Sequence, residues 1–563
     1  MGQERDLAIA PAVEPRLPQE PIMLPLEVEI PATVDAAPIR SKSRTSAIVM
    51  ALYLATFVAA LDQTIVSTAI PTITSQLHSA SGYTWIGGAY MLAKAAAMPI
   101  WAKLSDIWGR KPILLASLLL FFGSSVTCAL ARDMMTLIAG RALQGIGGGS
   151  LMQISTITIA DMFSLRLRSL FLGLINLMWA VAAGAGPVLG GALAELASWR
   201  WIFWLNLPIT GTAFILTLFF LDVHNPRTKL SDGLHAIDWF GTVSMLGLTL
   251  MLLLGLNFGG IVAAWSSAKV ICLIVFGLLM SVFFFISEKR LAEYPLMPLR
   301  LFHERSNVAA LATSSIHGFV AIALEYYLPL YLQSAKLESP TRSGLLILPL
   351  VLTEAASATL TGLLIHRTGE YGQVLQAGML LTTLGTALFV LLDAHTPIAT
   401  IFGLEVLAGF GVGMCFQPPS MALQALVHQD DVATAMATMS FLGNLASSLS
   451  VVIGGAVFQN GVAAREHVLL SAGLDAERAR ELAGPDSAAN VELIGTIADP
   501  GQQWAVKDAF AWGLRNMWIL YAGMGACAAV ATLFIKRATL SNEHTETKTG
   551  IKKREKAEPA AAS

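Results

Sequence analysis

A chain of 563 residues that is 55% hydrophobic, with mean hydropathy +0.63, is only 13% charged. Ordinary soluble proteins are about a quarter charged, so a soluble enzyme or binding module is excluded first. A net charge of −2 leaves no basic face for nucleic acid.

Residues 1–46 are polar and hold seven prolines without an apolar core. They read as a disordered cytosolic tail, not a cleavable signal peptide. Apolar runs of about 20 residues then recur, each long enough to cross roughly 30 Å of hydrocarbon. The expected spans lie near 47–67, 83–101, 112–131, 134–157, 169–192, 201–221, 238–258, 268–287, 307–332, 343–364, 373–393, 397–417, 433–456 and 515–535. This predicts an all-α polytopic membrane protein with fourteen transmembrane helices. A polar outer segment, 457–514, precedes the last span and carries an amphipathic piece around Trp504 to Trp512; 536–563 is a second charged tail. The cysteines Cys128, Cys272, Cys415 and Cys527 fall in or beside apolar runs with no metal spacing, so neither a metal nor a disulfide framework is expected. No cofactor is implied.

Basic residues orient the chain. With both tails inside, 24 of the 36 Lys/Arg fall on inner segments, ten on outer ones, and two, Lys94 and Arg141, within spans. The excess marks the cytosolic side.

In chain order, several stretches stand out. Span one ends in LDQTIVSTAIP (61–71), with Asp62 inside the apolar run. Between spans two and three, LSDIWGRK (104–111) gathers Asp106, Gly109, Arg110 and Lys111. Gly109 can turn the chain where other residues strain, and Asp106 can pair with a basic group. The charges read either as topology markers or as a latch. Span four opens with RALQGIGGG (141–149); without a preceding strand or following Lys-Ser/Thr, it is no phosphate loop. Span five carries GAGPVLGG (184–191), where Gly186, Gly190 and Gly191 allow close helix approach and Pro187 favours a kink. SWRWIFWLNLPI (198–209), YYLPLYLQ (326–333) and LAGFGVGMCFQPP (407–419) follow. Gly362, His366 and Gly369 repeat the spacing of Ala102, Asp106 and Gly109, as two duplicated halves would.

LSDIWGRK resembles the loop motif between helices two and three of the major facilitator superfamily. The ordered companions resemble the fourteen-span drug:proton antiporters of that superfamily, fungal toxin and multidrug efflux pumps among them. The resemblance implies a six-helix bundle over 47–221, two extra helices within 222–306, and a second bundle over 307–535. Ala102 stands where the loop motif usually has glycine.

Ionisable residues inside a span cost about 3 kcal/mol on insertion scales and usually face a cavity or a partner. Asp62 with Arg141 is a candidate proton-coupling pair, or a structural ion pair; Glu354 is a second carrier candidate. Lys94, His317, Glu325, Glu405 and Gln417 are candidate cavity-lining residues, His317 also reading as a satisfied packing histidine.

The expected function is export of drugs, toxins or secondary metabolites in exchange for protons, by alternating access, at the plasma membrane. A vacuolar basic amino acid or siderophore transporter is the nearest alternative, and a channel or receptor on the same fold a more distant one. Cargo, protons and the lipid bilayer are the partners implied; no obligate protein partner is inferred. Without a nucleophile–base pair, an enzyme is not expected.

Overall fold

The computed structural model describes residues 41–77, 82–259, 263–292, 295–484, 487, 490–540 and 550. The expected N-terminal tail up to residue 40, and most of the C-terminal one, lie outside these residues.

Helices dominate: α1 (Lys42–Ile65), α2 (Ile70–Gln76), α3 (Gly82–Trp108), α4 (Arg110–Ala129), α5 (Met134–Met162), α6 (Leu165–Leu196) and α7 (Arg200–Phe220) form the first group. Next come α8 (Leu230–His235), α9 (Trp239–Phe258) and α10 (Ala268–Ile286). The second group is α11 (Arg305–Ser334), α12 (Pro340–Leu346), α13 (Leu348–Thr368), α14 (Gly372–Leu388), α15 (Ile398–Met414), α16 (Pro418–Leu426) and α17 (Val432–Ala463). Short helices α18 (Glu466–Ser471), α19 (Ala476–Ala483) and α20 (Val491–Ile494) lead to α21 (Pro500–Thr532). Among the described residues β structure is limited to two isolated bridges, Gly259–Ala263 and Glu370–Thr539.

Polar side chains start many helices at the backbone amides that have no helical partner. Ser41, Asp133, Ser164, Asp238, Ser267, Ser339 and Asp499 all cap this way. Eleven helices among the described residues are long and apolar enough to cross a membrane. Helices α3, α5 and α21, of 27, 29 and 33 residues, are not among them and enclose Lys94, Arg141 and Arg515.

The packing repeats. In the first group α3 and α4 pack on α5, α4 on α7, and α1 on α6 and α7. In the second, α13 and α14 pack on α15, α14 on α21, and α11 on α17 and α21. The equivalences are therefore α1 with α11, α3 with α13, α4 with α14, α5 with α15, α6 with α17, and α7 with α21. Helices α9 and α10 pack chiefly on each other, with α9 also touching α3 and α17. Beside them, against α17, lies an apolar cavity of about 510 Å³ walled by Leu248, Leu252, Phe284, Phe285, Met297 and Phe441.

Some boundaries differ from expectation. The first helix starts at Lys42, inside the expected tail. The expected outer segment 457–514 begins and ends as helix, because α17 runs to Ala463 and α21 starts at Pro500. The stretch around Trp504 to Trp512 is the first part of α21. Its apolar face meets a folded cap, since Leu469, Leu482 and Ile494 join the core formed by Val506, Phe510 and Trp518.

The two groups meet at the end holding the α3–α4 junction. Ser169 Oγ donates to the Gly362 carbonyl at 3.1 Å, and Thr359 Oγ1 to that of Gly173 at 3.3 Å. Ala102 and Ile157 pack on Ala433 and Ala437 at the same end. A Cβ on Gly362 would meet the Ser169 carbonyl and come 3.2 Å from the Gly173 Cα, so backbone lies on backbone here. Towards the other end α6 opens: Val181 and Val188 are exposed, and Gly184 and Gly191 meet nothing within 4 Å.

Gly362→Leu is expected to force α6 and α13 apart. With the four native cysteines replaced, a cysteine at Ser169 should then react faster with a polar maleimide; an unchanged rate would show that this approach does not hold the end closed.

Candidate functional site: buried charges and the helix junctions

Asp62 and Arg141 do meet, but inside the first group. Arg141 Nη1 donates to Asp62 Oδ2 at 2.5 Å, with exposures of 1% and 0% for the two residues. Asn206 Nδ2 donates to Asp62 Oδ1 at 2.7 Å and Gln144 Nε2 to the same oxygen at 3.3 Å. Gln144 Oε1 in turn accepts from Arg141 Nη1 at 2.9 Å, and its Nε2 donates to Ser125 Oγ at 2.8 Å. Arg141 Nε donates to the Ile86 carbonyl at 3.1 Å, and its guanidinium lies 4.5 Å from the Tyr90 ring centroid. One ion pair thus joins α1, α3, α4, α5 and α7. In this structure the pair is closed off from any cavity by its burial.

The glycines after Arg141 let this packing form. A Cβ on Gly145 would run into the Tyr90 backbone, one on Gly148 into the Tyr90 hydroxyl, and one on Gly147 would press on Phe121. The stretch GIGGG is the face of α5 against α3 and α4.

At the α3–α4 junction the expected loop is one residue. Helix α3 runs through Asp106 to Trp108, and α4 starts at Arg110. Gly109 turns the chain with φ +94°, which other residues adopt only with strain. Arg110 is buried: Nη1 reaches Asp106 Oδ1 at 2.5 Å and Ser105 Oγ at 2.6 Å, while Nε donates to Asp161 Oδ2 at 2.7 Å. Asp161, at the end of α5, was not singled out from sequence because a lone acid beside a basic loop reads as a solvated charge. Lys111 is only half-buried, whereas Lys103 donates to the Pro295 carbonyl at 3.2 Å. The 222–229 segment covers the turn: Thr228 Oγ1 donates to the Ile107 carbonyl at 2.7 Å, and a Cβ on Gly109 would sit 3.0 Å from Pro226 Cδ.

The second copy has the same backbone with different chemistry. Helix α13 ends at Thr368 and Gly369 turns with φ +77°. His366, at the position of Asp106, makes its contact across the two groups, Nδ1 lying 3.1 Å from the Arg166 carbonyl. Nearby Arg168, also missed from sequence, donates to Gln424 Oε1 of the second group and to the Ala160 and Phe163 carbonyls.

The glycines of span five divide into two pairs. Gly186 and Gly190 lie on the end of α1, where a Cβ would meet Thr64, Ile65 and Thr68. Gly184 and Gly191 face open space. Pro187 falls within α6, and its side chain is outside the described residues.

Of the candidate lining residues, Lys94 is partly exposed. Its Nζ donates to Gln63 Oε1 at 2.9 Å and lies 5.5 Å from the Trp179 ring centroid. It does not counter an acid. Glu325 is exposed on α11 and close enough to Glu354 of α13 for their charges to interact; Glu354 is 6% exposed, and its Oε1 has no hydrogen-bond partner among the described residues. Glu405 is fully buried on α15, neither carboxylate oxygen having a hydrogen-bond partner among the described residues, so it is no exposed cavity wall. His317 is buried between α11 and α15, Nε2 2.9 Å from the Val412 carbonyl and edge-on to Phe416. Gln417 is buried, its amide without a partner among the described residues.

Two helical groups of repeated packing, apolar outside and with ion pairs buried in the first of them, define a multi-pass membrane transporter rather than an enzyme. The chain belongs to the major facilitator superfamily: the family profile described as Major Facilitator Superfamily matches residues 52–451. It is 41% identical over 512 residues to the MFS-type transporter ppz2 of Metarhizium majus, covering 91% of this chain and 88% of that protein. It is 42% identical over 511 residues to the efflux pump dotC of Dothistroma septosporum (91% and 87%), and 35% identical to the efflux pump FUS6 of Gibberella fujikuroi (90% and 91%). Among solved structures, the human organic anion transporter MFSD10 shares the fold with TM-score 0.57 at 15% identity, covering 86% of this chain and 99% of that one. The proton:xylose symporter XylE does so with TM-score 0.55 at 14% identity, covering 90% and 98%.

Arg110→Ala leaves Asp106 and Asp161 facing each other without their cation. Loss of a buried partner costs about 3–5 kcal/mol. The purified variant should melt well below the wild type, and added Asp161→Ala should recover part of the difference; additive losses would contradict the shared role of Arg110.

Proposed function

We propose that this protein exports small amphipathic or hydrophobic molecules, such as drugs, toxins or secondary metabolites, by proton-coupled alternating access. The observation that carries this reading is the asymmetry of the two ends: the groups are packed backbone to backbone at the α3–α4 end, while α6 is open towards the other. With the basic excess marking the cytosol, this is an outward-open state. The efflux pumps among the relatives support the direction, and both termini are then cytosolic in the plasma membrane.

For proton carriage we favour Glu354 with Glu325 over Asp62. A carrier must meet water from one side and then the other. Asp62 is held by Arg141, Asn206 and Gln144, which suits a clamp. Glu354 has no such cation and sits beside an exposed acid. Asp106 and Asp161, both held by Arg110, brace the first group's side of the cytosolic gate. The same acids favour, as a second reading, a vacuolar carrier of basic amino acids or siderophores. Location of a tagged protein and cargo competition separate the two.

In inside-out vesicles with an acid interior, Glu354→Gln should abolish proton-driven export while leaving the melting temperature unchanged. Asp62→Asn should lower export and melting temperature together, because it strands Arg141. Proton-driven export at wild-type rate by Glu354→Gln would sink the assignment. Asp106→Ala should reduce turnover severalfold with cargo affinity retained; an equal loss of affinity would remove it from the gate.

A further inference from the structure

The repeat carries more than the helix junctions. Ala102, Asp106 and Gly109 each recur 260 residues later, as Gly362, His366 and Gly369. The same step takes Lys94 of α3 to Glu354 of α13. The two helices are counterparts by packing, and each of these residues turns towards the first helix of its own group. Lys94 reaches Gln63 of α1, and Glu354 lies beside Glu325 of α11. One register position thus carries a cation in one half and an acid in the other.

Lys94 also lacks the ion pairing of Arg141 and Arg110. Arg141 is neutralised by Asp62, and Arg110 by Asp106 and Asp161. Lys94 has no carboxylate partner among the described residues; its contacts are a neutral amide and an aromatic ring. An ammonium has three donors, and Gln63 takes one. The side chain is partly exposed, and the remaining donors have no partner among the described residues. An ionised lysine inside a span is costly and is retained where something binds it. What suits an ammonium between an amide and an indole is an oxygen anion attached to a flat apolar body. The anion completes the hydrogen bonds of Nζ, and the body lies against Trp179.

We infer that Lys94, with Gln63 and Trp179, is the cargo-recognition pole of the transporter and takes the oxyanion of a small aromatic acid. The inference deepens the exporter reading and borrows from it only the direction of transport. Cargo meets Lys94 at the partly exposed pole, while the buried Glu354 at the counterpart position is left for protons.

The test is equilibrium binding to the purified full-length protein, with 2-naphthoate and its neutral methyl ester as probes. The wild type should bind the acid at least about tenfold more tightly than the ester, the size of one charge-assisted hydrogen bond. Lys94→Arg should keep that preference. Lys94→Met, which breaks no ion pair and should melt like the wild type, should reduce acid affinity to that of the ester. Equal binding of the two probes by the wild type, no binding of the acid, or a preference that survives Lys94→Met would each overturn the proposal. Preferential binding without any export in vesicles would instead count against the exporter reading.

Discussion

The packing of the first group depends on neutralising charge inside hydrocarbon. The Asp62–Arg141 pair is the clearest case. Taking either ion out of water is costly, and their attraction offsets that only when the remaining lone pairs and N–H groups are also satisfied. Here they are, through Asn206, Gln144 and the Ile86 carbonyl. Five helices contribute to that satisfaction, so their relative positions are specified by one charge pair. The glycines of α5 are its steric counterpart: they bring Tyr90 and Phe121 close enough for Arg141 to lie against an aromatic face.

The same logic operates at the α3–α4 end, where the two groups meet. Arg110 draws Asp106 and Asp161 together across helices of one group, while the contacts between groups are hydroxyl-to-carbonyl bonds, glycine-on-glycine packing and the hydrogen bonds of Arg168 and His366. Buried ion pairs lie inside the first group, whereas the contacts named between groups are hydrogen bonds and close packing. In the rocking motion proposed above, that difference lets each group move as a body. It also explains why the second copy of the motif carries His366 where the first has Asp106: the histidine makes its bond across the joint.

Much of this was legible in the sequence, for identifiable reasons. Apolar run length gave the helices, and the spacing of Asp106 and Gly109 against His366 and Gly369 gave the repeat, because a glycine with positive φ leaves a one-residue signature. Facing was not legible. An acid in an apolar run announces a partner or a cavity without saying which, so only the structure separates the paired Asp62 from the buried, unpaired Glu405. Asp161 and Arg168 escaped notice because charges at helix ends look solvated until their neighbours are known. The long final helix was misjudged because its first turns are polar on one side and gain their apolar cover from Leu469, Leu482 and Ile494, residues that precede it in sequence.

The central claim is that two rigid groups rock about a joint that is closed at the α3–α4 end in this structure. Pulsed electron spin resonance on cysteine-replaced protein tests it most directly. One spin-label pair would sit at Leu167 and Thr368 on the closed end, and a second at Val188 and Leu345 on the other. Over a pH titration, the two distance distributions should change in opposite senses, one pair separating as the other approaches. Distances that stay fixed, or that lengthen together, would contradict the account.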